Sequence, residues 1–526
     1  MQHYVLLDAI GIQKYIFDTN TLRIIIGASQ FLDKWQQECS KRWPGNVLVS
    51  GGGNILAVFD NKTDADSFRK EAINIAPAGM EIAWANAEGK PGETGPGSDN
   101  AIWNELQKRI SLFKSGNRDF SDYDQTFFQP VTPGCHYCGV RSRDGKGALD
   151  DYNNKKQPVC SVCRPRYDKG GRTGDVSTSM GKLWEYVGNK QFDPPFPLDL
   201  ADLTRKENTA ENVGEASHDL MAVVVVDLND MGEKIKDVVN KEGFKGLNSF
   251  SQQLKLDIDE VFAALTDDFT PKSEWCGRKA NDCFLRLRPL LLGGDDMALA
   301  MPAPLWPEFV NNLLRGLAGK GYPACAGVVV AKHTFPINRL VEMAEELVGS
   351  AKAMVRYRKK IAGESALSAE YQCAVDWHVH QETAFGSPLA IRKKHFVTKG
   401  LRFSRDHQAG EAIIQAATCR PYLLQDFSDL TETGRKLSVI SNSKLFALYN
   451  ALRSGCQATR DFLTYVLLRD DNEKLTSYSP VWAEVLKNQS KWPMWEDFSG
   501  PDMDVQACRT QMPDVLELLF LTRPDK

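Results

Sequence analysis

The sequence predicts an α+β protein: two ferredoxin-like βαββαβ blocks, a zinc ribbon inserted between them, and a helical C-terminal domain. Three observations carry this. Strand and helix patterns follow one another in the same order in two stretches of the chain, two C-x2-C pairs lie between those stretches, and after about Phe403 the apolar pattern becomes mostly helical. The domains expected are 1–115 and 220–400 for the two blocks, 116–219 for the ribbon and linker, and 401–526 for the C-terminal domain.

In the first block "HYVLLD" (3–8) reads as a strand, about Thr21 to Cys39 as a helix, and "NVLVS" and "NILAVF" as strands joined by a "GGG" turn. A helix from about Asp64 to Ile73 and a strand "MEIAWAN" complete βαββαβ. The Gly- and Pro-rich "EGKPGETGPGSDN" then reads as a loop before a helix that starts near Ala101.

The second block repeats the order. "LMAVVVVD" (220–227) is a strand, about Asp230 to Leu265 is helical, "FLRLRPLLL" and "MALAMP" are strands around "GGDD", and Trp306 to Ala318 is a helix. The strand "CAGVVVA" (325–331) and a helix from Pro336 to about Tyr357 close it. The linker "LTRKENTAENVGEASHDL" precedes this block, and "KLFALYNALRSGCQATRDFLTYVLL" shows the 3.6-residue period beyond it.

Laid on one another, the first strands end in "LLDAIG" and "VVDLNDMG", and the central hairpins carry "SGGGN" and "LGGDD". One copy keeps its acids and the other has lost them. Asp8 and Gly53 are 45 residues apart, whereas Asp227 and Asp295 are 68 apart, and the polar "DDFTPKSEWCGRKAND" accounts for much of the excess as an insertion.

At 526 residues the chain exceeds what one core supports. Its 42% apolar and 25% charged residues are those of an ordinary globular protein, and a net charge of −4 gives no bulk attraction for nucleic acid or membrane. No apolar run is long enough to span a bilayer and the start lacks signal-peptide features, so a cytoplasmic protein is expected.

In a βαββαβ block Asp227, Asp295 and Asp296 converge at one sheet edge. Taken alone, "GGDD" reads as a solvated turn, since Gly and Asp dominate turns. Three converging carboxylates instead repel unless a cation sits among them. Magnesium, or manganese, takes oxygen ligands and is held by a few carboxylates together with phosphates. Gly293 and Gly294 let a triphosphate approach the backbone. In "SAKAMVRYRKK", Arg358 to Lys360 read as a solvated face, whereas Lys352 follows the apolar "LVGSA" and is a candidate triphosphate contact.

Cys135, Cys138, Cys160 and Cys163 have the spacing C-x2-C-x21-C-x2-C, which suits a closed, structural tetrahedral zinc site. His136 lies inside the first knuckle, where four sulfurs already complete the zinc. The other eight of the twelve cysteines are scattered and read as plain thiols.

The paired "GGGN" and "GGDD" blocks, the cysteines between them, "IGIQKYIFDTNTLRIIIGAS", "GVVVAKHTFPINRLVEMAEELVGSAK" and "DWHVH" (376–380) together resemble the large polymerase-cyclase subunit of type III CRISPR effector complexes. The resemblance covers about Met1 to Val397. It implies two palm domains around a nucleotide pocket, with ATP as substrate for cyclic oligoadenylate second messengers, and partner effector subunits with crRNA and target RNA. It implies metal binding at Asp227, Asp295 and Asp296. Nucleotide contacts would fall on Gly293, Gly294 and Lys352, and in the degenerate palm on Ser29, Gly51, Gly52, Gly53 and Asn54. Many members open with an HD nuclease domain. This sequence opens on the first palm and its only His-Asp pair, His218-Asp219, lies in the linker, so DNA cleavage is not expected of this chain.

Two rivals stay open. The same palm pair would also suit a cyclic dinucleotide or AMP-conjugate synthase, although "GGDDM" differs from the "GGDEF" of diguanylate cyclases. A non-enzymatic effector-complex scaffold is the other, and the intact Asp295 and Asp296 speak against it.

Overall fold

The side chains of β1 (Gln2–Ile10) are buried on alternate faces, and this decides how the chain packs around it. Tyr4 and Leu6 lie in one apolar cluster, Val5 and Leu7 in another, so the strand needs cover on both faces. The structure is a computed structural model that describes residues 1–90, 98–115, 134–143, 148–150, 156–170, 179–190, 192–204, 220–279, 282–362, 368–380, 386–402, 411–438, 440–468, 495–497 and 506–523. It divides into two units, Met1–Met301 with Lys332–Val341, and Pro302–Ala331 with Glu342–Lys526.

In the first unit β1 is followed by α1 (Ile12–Ile16), α2 (Leu22–Arg42), β2 (Val47–Gly51), β3 (Asn54–Phe59), α3 (Lys62–Asn74), β4 (Glu81–Gly89) and α4 (Asp99–Lys114). The four strands stand in the order β2-β3-β1-β4, each neighbouring pair antiparallel. Leu32 and Trp35 of α2 and Phe68 of α3 pack with Val5, Leu7 and Ile55 on one face. Ile102, Leu106 and Ile110 of α4 pack with Tyr4, Leu6 and Leu56 on the other. This is the βαββαβ order expected of the first block.

The ribbon region contributes β5 (Ala148–Asp150), β6 (Lys156–Pro158), α5 (Cys163–Lys169), α6 (Ser179–Gly188) and α7 (Leu200–Thr204). Then come β7 (Leu220–Leu228), α8 (Met231–Phe269), β8 (Cys276–Lys279), β9 (Asp282–Leu285), β10 (Arg288–Gly293) and β11 (Asp296–Pro302). Strands β10, β11 and β7 lie side by side in that order, the counterpart of β2, β3 and β1. The run "FLRLRPLLL", expected as one strand, is two. Arg286 turns out of line and donates to the Leu203 carbonyl, so β9 pairs with β8 as a separate antiparallel ribbon. Helix α8 kinks at Gly243 (φ 66°), where the Asp99 carboxylate accepts from the Phe244 N–H at 3.0 Å.

The second unit holds α9 (Trp306–Gly319), β12 (Ala324–Lys332), α10 (Ile337–Ala362), β13 (Ala374–Val379), α11 (Pro388–Phe396), β14 (Val397–Arg402), β15 (Glu411–Ala416), β16 (Tyr422–Leu423), α12 (Leu424–Leu437), α13 (Asn442–Arg453), α14 (Cys456–Leu468), β17 (Glu496–Asp497), β18 (Gln506–Arg509) and α15 (Met512–Thr522). Strand β13 pairs in parallel with β12 and antiparallel with β16. The C-terminal region, expected to be helical, also carries a four-stranded sheet in the order β14-β15-β18-β17. Its strands are short and its central pair, β15 with β18, is far apart in sequence, which hides the sheet from periodicity.

Among the described residues no helix is long and apolar enough to cross a membrane. Most of the "EGKPGETGPGSDN" loop (91–97), and the linker 205–219 with His218-Asp219, lie outside the described residues.

Candidate functional site

The two central hairpins close in the same way. Gly51 pairs with Asn54 in one and Gly293 with Asp296 in the other, which leaves two-residue turns. Gly52 and Gly53 both take positive φ, 57° and 81°, the geometry that suits a tight hairpin and favours glycine. In the second turn Gly294 (φ 28°) is followed by Asp295. Asp295 and Asp296 therefore occupy the positions of Gly53 and Asn54. A β-carbon on Gly53 would lie 2.4 Å from Ile12 Cδ1, so a side chain there would require the end of Ile12 to move.

The strand ends repeat as well. Ala9, just after Asp8, donates its N–H to the Gly53 carbonyl at 2.9 Å, and Leu228, just after Asp227, donates to the Asp295 carbonyl at 3.2 Å. The sequence-predicted Asp227, Asp295 and Asp296 are thus brought to one edge, all half-buried. Asp8 has a different fate, because Lys114 Nζ sits 2.7 Å from its carboxylate.

The hairpin tips also meet. A β-carbon on Gly294 would lie 3.4 Å from Gly52 Cα, and one on Gly52 would lie 3.6 Å from Asp295 Oδ1. The helices cross over to match, with α2 packing on β10 and α8 on β2. Ser251 of α8 comes close to the first hairpin, 3.2 Å from a β-carbon built on Gly51. Gln36 of α2 ties that hairpin down, accepting from Ser50 Oγ at 3.2 Å and donating to the Asn54 carbonyl at 3.4 Å. The Asn54 amide donates to the Gly52 carbonyl at 3.4 Å, across its own turn.

Ser29 lies on α2 but is only 4% exposed. Lys352 lies on α10 and is half-buried. Pattern reading missed Lys114, Gln36 and Ser251, which nothing in their local sequence marks. The helix expected from about Asp230 starts there, with Asp230 at its cap in the left-handed region at φ 58°.

The four cysteines form a second centre, with one sulfur from each lying within 4.8 Å of the others. A zinc tetrahedron with bonds of about 2.3 Å has sulfur–sulfur edges of about 3.8 Å, so the set fits that ion. The Cys163 N–H donates to Cys160 Sγ at 3.3 Å. Around them pack Ile24 of α2, Val159 and Val162. α2 and α5 approach backbone to backbone, since a β-carbon on Gly27 would meet the Arg166 carbonyl at 1.9 Å. The Asp18 carboxylate fixes the junction, accepting from Arg141 at 2.7 Å and from the buried Arg166 at 2.9 Å.

No family model and no curated protein matches the sequence. Among solved structures it is similar to the Csm1-Csm4 cassette in complex with cA4, with a TM-score of 0.51 and 14% identity over 99% of this chain and 70% of that one. It is similar also to the cassette in complex with pppApA, with a TM-score of 0.50 and 13% identity over 99% and 69%. A third, the Csm1-Csm4 subcomplex in the type III-A CRISPR-Csm interference complex, has a TM-score of 0.47 at 14% identity over 99% and 70%. At these identities the likeness is one of fold.

Proposed function

We propose that this chain, which has the fold of a chain in the Csm1-Csm4 cassette, is a magnesium-dependent nucleotidyltransferase. It would join ATP into cyclic oligoadenylates as part of a type III CRISPR effector complex, with other effector subunits, crRNA and target RNA as partners. The observation that carries this reading is the tip-to-tip pair of matching hairpins, of which one alone has acids. The order β2-β3-β1-β4 supports a ferredoxin-like palm for the first block, and β10-β11-β7 the same for the second. The two cassette structures of like fold are those in complex with cA4 and with pppApA.

Asp227, Asp295 and Asp296 would hold the magnesium. A few carboxylates completed by substrate phosphates are the donor set that magnesium ordinarily takes. The chemistry it supplies when bound is neutralisation of charge on the transferring phosphoryl group. In the reaction a ribose hydroxyl attacks the α-phosphate of ATP, the new P–O bond forms, and pyrophosphate leaves.

The chain's own residues supply position. Gly293 and Gly294 leave the acidic tip's backbone bare for a triphosphate. Across from it, Gly51 to Asn54 present a turn without carboxylates, and Lys114 already neutralises Asp8, so the acceptor nucleotide is held there without metal. Fixed placement of donor and acceptor supplies most of the rate. The four cysteines hold zinc as a brace for the start of α2.

The test is incubation of the full chain, assembled with its effector complex, with labelled ATP and magnesium, followed by chromatography. Cyclic oligoadenylates are expected. A cyclic dinucleotide or an AMP conjugate would keep the reaction class and replace the product, and unconsumed ATP would overturn the reading.

A further inference from the structure

The C-terminal sheet carries a pair of thiols that the proposed chemistry does not use. Cys456 Sγ and Cys508 Sγ lie 3.2 Å apart, both buried at 4% and 1% exposure. They come from elements distant in sequence, the first residue of α14 and the strand β18. Their meeting is built by the residues around them. Gln415 of β15 is the cross-strand partner of Cys508, and its Oε1 accepts from the Cys456 N–H at 2.8 Å, which seats the start of α14 over the strand. Gly455 makes this approach possible: its φ is 107°, and a β-carbon there would lie 2.4 Å from Gln415 Oε1. Thr459 Oγ1 then holds the first turn, donating to the Gly455 carbonyl at 2.9 Å and accepting from Trp495 Nε1 at 3.2 Å.

We propose that Cys456 and Cys508 are a dithiol modification site that a hydroperoxide converts into an intrachain disulfide joining α14 to β18. Cys456 is the attacking sulfur, because it stands at the first residue of a 13-residue helix, where the positive end of the helix dipole favours a thiolate. Its thiolate attacks the peroxide O–O bond, giving a sulfenic acid and, after proton transfer, one water. The Cys508 sulfur then attacks the sulfenic sulfur, the S–O bond breaks, the S–S bond forms and a second water leaves. Two thiols lose two protons and two electrons, and one hydrogen peroxide becomes two waters. The sulfurs are already in contact, so the second step needs only a small local shift.

The test treats the full chain with hydrogen peroxide in stoichiometric steps, followed by digestion without reductant and mass mapping. A peptide pair joined through Cys456 and Cys508, lighter by two hydrogens and restored by reductant, is expected. Both residues recovered as free thiols after other cysteines have oxidised would overturn the proposal. In Cys508→Ala, a sulfenic-acid trap should label Cys456. Should that variant fail to fold, Cys508→Ser serves the same purpose. Label confined to Cys508 in Cys456→Ala, with none on Cys456 in the reciprocal variant, would contradict the assigned order of attack.

Discussion

A β-carbon built on Gly294 would lie 3.4 Å from the Cα of Gly52, so the tips of the two matching hairpins meet backbone to backbone at these glycines. This contact relates the acidic turn to the acid-free one, and the first predictions concern what it tolerates.

Gly52→Ala has space, with Asp295 Oδ1 at an ordinary 3.6 Å, but its φ of 57° is left-handed. The expected loss is about 1–2 kcal/mol in chemical denaturation, together with a raised apparent KM for ATP. Gly53→Ala adds the 2.4 Å encounter with Ile12 Cδ1 to a φ of 81° and should cost more. Equal stability of the two variants would contradict the turn geometry.

Asn54→Ala removes a long hydrogen bond to the Gly52 carbonyl and should cost no more than about 1 kcal/mol. If this hairpin holds the acceptor, ATP saturation shifts to higher concentration in a folded protein. Unchanged saturation would leave the first hairpin a structural element alone.

Cys135→Ser combined with Cys160→Ser should lower the melting midpoint by on the order of 10 °C, because these sulfurs are buried with Ile24 of α2. Metal analysis should find about one zinc per chain. A double variant that melts like the parent would refute a structural role.

His378 supplies a pH prediction. Burial, followed by the charges of Arg420, Arg392, His380 and His395, lowers its pKa to about 3. The unfolded chain, with an ordinary value near 6.5, then binds a proton that the folded chain refuses. Stability from this residue is complete above pH 6.5 and falls as the pH drops from there toward about 3. His378→Asn should flatten the stability profile over that window, and an unchanged slope would contradict the burial.

Much of this was legible in the sequence, for reasons that particular residues make plain. Tyr4 to Leu7 and the valines of β7 carry strong local patterns, and the repeat of "SGGGN" and "LGGDD" foretold matching turns. The C-x2-C spacing foretold the sulfur cluster. What stayed hidden depends on distant partners. Arg286 splits an apparent strand by bonding to Leu203, β17 has only two residues, and Lys114 reaches Asp8 from the far end of α4. The repeat and the family resemblance lead one to expect "GGGN" across from "GGDD", but the close approach of Gly294 to Gly52 needs two blocks to dock, which no spacing within one block encodes.

The central claim is that one hairpin holds nucleotide with metal and the other without it. Equilibrium binding of a non-hydrolysable ATP analogue, with and without magnesium, tests it most directly when the parent is compared with Asp295→Ala/Asp296→Ala. The account predicts two analogue molecules per chain for the parent with magnesium, and one magnesium-independent molecule for a folded double variant. A double variant that binds as the parent does, with the same magnesium dependence, would contradict it.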